Sequence, residues 1–146
     1  MKAIVMCIGN IDGGDDAVGP YIADKLKKTP GLKVINAGTT PENYTGVIKK
    51  EKPDKLFIVD AVEMGLKPGE TRVVPSDKIG SMHISTHGIP VSVLIKYLKT
   101  FVEKIFLIGI QPSKMSGGIS EKVASGADRL IKTLKKQEIN NLKTLK

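Results

Sequence analysis

Three stretches of this chain, residues 2–8, 55–60 and 104–110, are nearly unbroken apolar runs. A strand with one wet face alternates apolar and polar side chains. A strand with no polar face must be covered on both sides, which is the mark of a central strand in a parallel sheet. Helical patterns stand between these runs. One begins near Asp15 or Asp16 and reaches about Lys28, with Pro20 in its first turns and Pro30-Gly31 as its stop. A second strand follows over Leu32–Asn36, then a short helix over residues 41–50. Ile89, Val93, Leu94, Leu98 and Phe101 have helical spacing, which predicts a helix from about Gly88 or Ile89 to Thr100. Ser120 is placed to cap a last helix ending near Lys136. Thr71-Arg72-Val73-Val74-Pro75 follows a Lys-Pro-Gly-Glu turn and reads as an antiparallel edge strand, and residues 76–87 read as a polar loop.

Strands alternating with helices specify a three-layer α/β/α sandwich. Its sheet is twisted and mostly parallel, with about five strands and an antiparallel edge. A length of 146 residues suits one such domain over residues 1–136. Residues 137–146, rich in Lys and Asn, form a tail that can fray.

In such sheets ligands bind beyond the carboxyl ends of the parallel strands. Three loops fall there. The first strand leads into Gly9-Asn10-Ile11-Asp12-Gly13-Gly14-Asp15-Asp16, the third ends on Asp60, and the loop before the next helix holds Ser85-Thr86-His87-Gly88. A glycine-rich strand-to-helix loop normally suggests phosphate. Here Asp12, Asp15 and Asp16 occupy the phosphate position and repel it. One acid suffices to cap a helix; the surplus invites a cation. Asp60 has a plain alternative role as a turn or cap residue. His83 and His87 are the two histidines, and position alone does not choose between them. Two carboxylates and one imidazole suit a borderline divalent ion such as nickel, zinc or manganese, with positions left open for water or substrate.

Composition excludes several other classes. The single cysteine, Cys7, lies in the apolar first strand and forms no internal disulfide; it reads as core, not nucleophile. The net charge of +8 is almost all lysine, with arginine only at Arg72 and Arg129. With three Phe, three Tyr and no Trp, base reading and base stacking are poorly served. No Gly-x-Ser-x-Gly elbow and no His-Glu-x-x-His helix is present. No apolar run approaches the ~20 residues of a membrane span, and the first strand lacks a signal-type cleavage site, so a cytoplasmic location is expected.

A further pattern emerges in order along the chain. Gly9-Asn10, Gly14-Asp15-Asp16-Ala17-Val18-Gly19-Pro20, Pro41-Glu42-Asn43, Ile58-Val59-Asp60-Ala61, Met64 to Glu70, Thr86-His87 with Pro90, and Leu107 to Pro112 succeed one another. Together they resemble the [NiFe]-hydrogenase maturation endopeptidases, in particular the subtype serving hydrogenase 3. The resemblance spans residues 3 to about 131. It implies an endopeptidase that removes the C-terminal extension of a hydrogenase large-subunit precursor after nickel insertion. It also implies that Asp16, Asp60 and His87 contact the metal, favouring His87 over His83 and leaving Asp15 to cap or support. The nickel would arrive with the substrate protein, another divalent ion being an alternative, and a monomer is adequate for docking a large partner. Asn36 departs from the family, where aspartate is common; an amide there can still hold the Gly38-Thr39-Thr40 loop. Two mechanisms fit: metal-assisted hydrolysis, with Asp16 helping water, and sensing of nickel as a check on assembly. A non-catalytic module of the same fold, binding a divalent metal or nucleotide, is the competing reading.

Overall fold

The computed structural model describes residues 2–80, 83–84 and 88–146. The strands are β1 (Ala3–Ile8), β2 (Leu32–Gly38), β3 (Lys55–Glu63), β4 (Thr71–Val74), β5 (His83–Ile84) and β6 (Lys104–Ile110). The helices are α1 (Val18–Leu26), α2 (Thr45–Glu51), α3 (Ser76–Ile79), α4 (Val91–Leu98) and α5 (Glu121–Lys135). Five strands run in the order β2-β1-β3-β6-β4. The first four are mutually parallel and β4 is the antiparallel edge, as the sequence implied.

The unbroken apolar runs are explained by two cores. Val5 and Cys7 of β1, Phe57 and Val59 of β3 and Ile108 of β6 face Ile22 of α1 and Leu130 of α5. The alternate residues Ile4, Met6, Leu56, Ile58 and Leu107 face Ile48 of α2 and Leu94 and Leu98 of α4. Period-two alternation thus sends each strand's neighbours to opposite faces, both dry.

Several boundaries differ from the sequence reading for local reasons. The first helix is split: Gly14–Ala17 is a 3-10 turn and α1 starts at Val18. Residues 76–87 are not simply a loop. They include α3 and the two-residue β5, elements too short to give a periodic signal. β3 runs three residues past Asp60, because β6 pairs with it through Ala61 and β5 joins at Val62 and Glu63. At the other end of the chain, Val73 of β4 donates to the Lys143 carbonyl and accepts from the Leu145 amide, so residues 143–145 lie along the edge strand.

Candidate active site

β1 pairs with β3 only as far as Cys7 opposite Val59. Beyond Asp60, β3 pairs with β5 at Val62 and Glu63. Asp60 therefore stands where the sheet parts, inside a strand and not at its end as the sequence suggested. By alternation it continues the Leu56–Ile58 row, on the face covered by α2 and α4. It is fully buried. Its Oδ1 accepts the Ala61 N–H at 2.8 Å. Its Oδ2 is buried with no hydrogen-bond partner among the described residues. Burial raises the Asp60 pKa well above the ordinary carboxylate range, the Asp16 charge raises it further, and the Ala61 amide opposes both. The same surroundings act on Cys7. Burial, then the Asp60 charge, push its thiol up to about 12, which fits the core role read from the sequence.

Asp16 is 1% exposed, and its Oδ2 accepts the Asn10 N–H at 2.9 Å. The first loop thus folds back onto its own acid. Gly19 sets the height of this loop over the sheet, since a methyl there would be driven into the Ile8 carbonyl. Asp15 has a different task. It accepts the Ser113, Lys114 and Ser120 amides at 2.7, 2.9 and 2.6 Å and the Ser120 hydroxyl at 2.8 Å. Burial alone would raise its pKa, but these donors outweigh burial and hold it below the ordinary value. Ser120 does occupy the N-cap of α5, yet its hydroxyl serves Asp15 and makes no side-chain cap bond. Gly14, at φ +64°, passes beneath the Ser116 backbone and lets the two loops close on each other. Asp12 is exposed.

The two predicted carboxylates are therefore brought together, close enough for the charge of one to resist ionisation of the other. Among the described residues no three of His, Cys, Asp and Glu gather as a metal-binding group. His87 lies outside the described residues. The competing His83 belongs to β5, its backbone opposite Glu63.

One acid was given no role in the sequence reading. Glu42 sits in the 3-10 turn after β2, with Oε1 buried and without a hydrogen-bond partner among the described residues. Its carboxylate lies over Gly88, where an added Cβ would meet Oε2 at 3.1 Å. The available signal was the Pro41-Glu42-Asn43 tripeptide. Asn36, in contrast, is exposed on β2 and makes no side-chain hydrogen bond to the Gly38–Thr40 loop among the described residues. Gln111, also missed, is 3% exposed and clasps the chain just past Asp60. It accepts the Met64 and Leu66 amides and donates to Glu63.

The family model "HycI: Hydrogenase maturation protease" matches residues 18–137, a span that begins two residues after Asp16. The hydrogenase 3 maturation protease of Escherichia coli K12 is 40% identical over 115 residues, covering 77% of this chain and 74% of that relative. The solution structure of an endopeptidase HycI from Escherichia coli superposes with a TM-score of 0.91 at 32% identity, covering 100% of this chain and 97% of that one. The crystal structure of a [NiFe] hydrogenase maturation protease HycI from Thermococcus kodakarensis KOD1 gives a TM-score of 0.82 at 35% identity, covering 92% and 90%.

Proposed function

Because this chain belongs to the HycI family of hydrogenase maturation proteases, we propose that it removes the C-terminal extension of a [NiFe]-hydrogenase large-subunit precursor once nickel is in place. Asp16, Asp60 and His87 form the site that reads the nickel, which comes as part of the substrate. The reaction takes place in the cytoplasm, on a monomeric enzyme.

One observation carries this reading: the buried Asp60 carboxylate has an oxygen with no donor among the described residues, and the charge of a second carboxylate, Asp16, acts on it. A polar oxygen buried without a partner costs free energy, and two adjacent carboxylates cost more. A divalent cation relieves both costs at once. Hard oxygen donors beside an imidazole suit nickel among the borderline ions.

When bound, the ion supplies Lewis acidity at the scissile carbonyl or at a water. The chain's own residues do the rest. Asp60 is held by the Ala61 amide, while burial and the Asp16 charge disfavour its ionised form; a cation favours that form, which tells a loaded precursor from an empty one. Asp16 is fixed by the Asn10 amide and is the candidate base for the attacking water. The Asp15 clasp keeps that loop from moving as the partner docks.

The test is to mix the protein with nickel-loaded and nickel-free precursor and measure intact mass. Loss of a C-terminal fragment from the loaded form alone is expected. No cleavage of either form overturns the peptidase reading, and equal cleavage of both overturns the nickel check. Asp16→Ala that cuts at the native rate removes Asp16 from the chemistry.

A further inference from the structure

The two arginines of this chain come together. Arg72 of β4 and Arg129 of α5 line one cavity of about 230 Å³, with Lys143 from the chain beside β4. Every other basic side chain in the sequence is a lysine or one of two histidines, so a cavity lined by both arginines is a distinctive feature. We propose that this pocket binds a carboxylate presented by an exposed peptide segment of a partner protein. The inference stands apart from the reaction assigned to Asp16 and Asp60.

Charge supports it first. Arg72, Arg129 and Lys143 face a single acid, Glu70, among the lining residues. That acid is partly spent: its Oε2 accepts the Lys67 amide at 2.9 Å, and its Oε1 is 3.7 Å from Arg72 Nη2. Among the described residues each guanidinium makes one hydrogen bond, through Nη1. Arg72 Nη1 donates to the Thr71 carbonyl at 2.8 Å, and Arg129 Nη1 donates to the Ser125 hydroxyl at 3.1 Å. A guanidinium carries five donors, so each keeps N–H groups for an incoming carboxylate.

Size and setting choose the ligand. Pockets for whole small molecules span roughly 300–1,000 Å³. A smaller cavity takes one charged group and not a nucleotide. Its wall is a strand edge, and that edge already takes an extended chain: Val73 exchanges main-chain hydrogen bonds with Lys143 and Leu145. With that edge of β4 filled by residues 143–145, a partner segment reaches the pocket from solvent and delivers a side-chain or terminal carboxylate into it. The pocket also lies at the same end of the sheet as Asp60, one strand beyond β6, where Gly69 donates to Gln111 and Gln111 donates to Glu70.

The experiment is a titration of the full ¹⁵N-labelled chain with succinate, inorganic phosphate and an N-acetyl Gly-Glu-Gly amide. Succinate and the peptide are expected to shift the Thr71, Arg72 and Lys143 amides saturably and to leave Asn36, on the opposite edge strand, unmoved. Arg129→Gln changes an exposed residue and is expected to weaken both by about tenfold. Arg72→Gln is the second variant, read only if its spectrum remains folded. No saturable shift with either carboxylate, or an unchanged titration in Arg129→Gln, overturns the proposal. Binding of phosphate with no binding of the peptide also overturns it, in favour of a free-anion site.

Discussion

Replacing Asp60 by asparagine is expected to stabilise the fold while abolishing cleavage. In an unfolded chain an aspartate titrates near pH ~3.9. In the folded chain burial, and then the charge of Asp16, raise the Asp60 pKa well above that. Between those two values the folded state holds a proton that the unfolded state has released. Stability therefore falls as pH rises through this window, and above the folded pKa the full penalty is present. Each unit of elevation costs about 1.4 kcal/mol. For a domain of this length that is about 4 °C in Tm. Asparagine keeps the volume and a carbonyl for the Ala61 amide, and it cannot ionise. Thermal unfolding of both proteins, followed by circular dichroism in chelator-treated buffer from pH 4 to 8, measures the effect. The variant should match wild type near pH 4 and gain steadily above it. A variant no more stable at neutral pH, or an advantage that does not change with pH, would refute the buried-charge argument.

Asp15 carries the opposite sign. Its pKa is depressed by its donors, so its contribution is present above the unfolded pKa and is lost as pH falls through the folded one. Asp15→Asn should cost about 2 kcal/mol at neutral pH in urea unfolding, and the loss should shrink in acid. Gly19→Ala forces a methyl against the Ile8 carbonyl and should destabilise by about 1–3 kcal/mol. Gly46→Ala, in α2 with open space around it, should stabilise by about 0.5–1 kcal/mol in the same assay. Cys7, with a thiol pushed up to about 12, should resist maleimide labelling at pH 8 until the chain is unfolded, as read by intact mass.

The sequence made the sheet legible because β1, β3 and β6 are dry on both faces, a condition that leaves no polar alternation to misread. Fine boundaries were less visible. Asp60 looked like a strand end because an acid normally marks one. That β3 continues to Glu63 depends on pairing with β5, a two-residue strand without any pattern of its own. Asp15 and Asp16 look alike in sequence, and only tertiary contacts separate them: one is taken up by Ser113, Lys114 and Ser120, the other accepts the Asn10 amide and its charge acts on Asp60. Glu42 carried no chemical signature beyond its tripeptide, since its importance comes from lying over Gly88, 46 positions further along. The Arg72–Arg129 pocket was equally hidden. Scarcity of arginine argued against nucleic acid, but nothing linear says that two residues so far apart line one cavity.

The bond between the Ser120 amide and Asp15 spans 105 positions. Closing so long a loop is slow relative to local pairing, and it waits for nearly the whole chain to be available. A ribosome-bound fragment ending with β6 holds Asp16 and Asp60 but lacks Ser113, Lys114 and Ser120, the strap that fixes the first loop. The order of synthesis thus acts as a timer: the last β/α unit must dock before the two acids are held face to face, so a half-made enzyme has no settled site with which to meet its substrate.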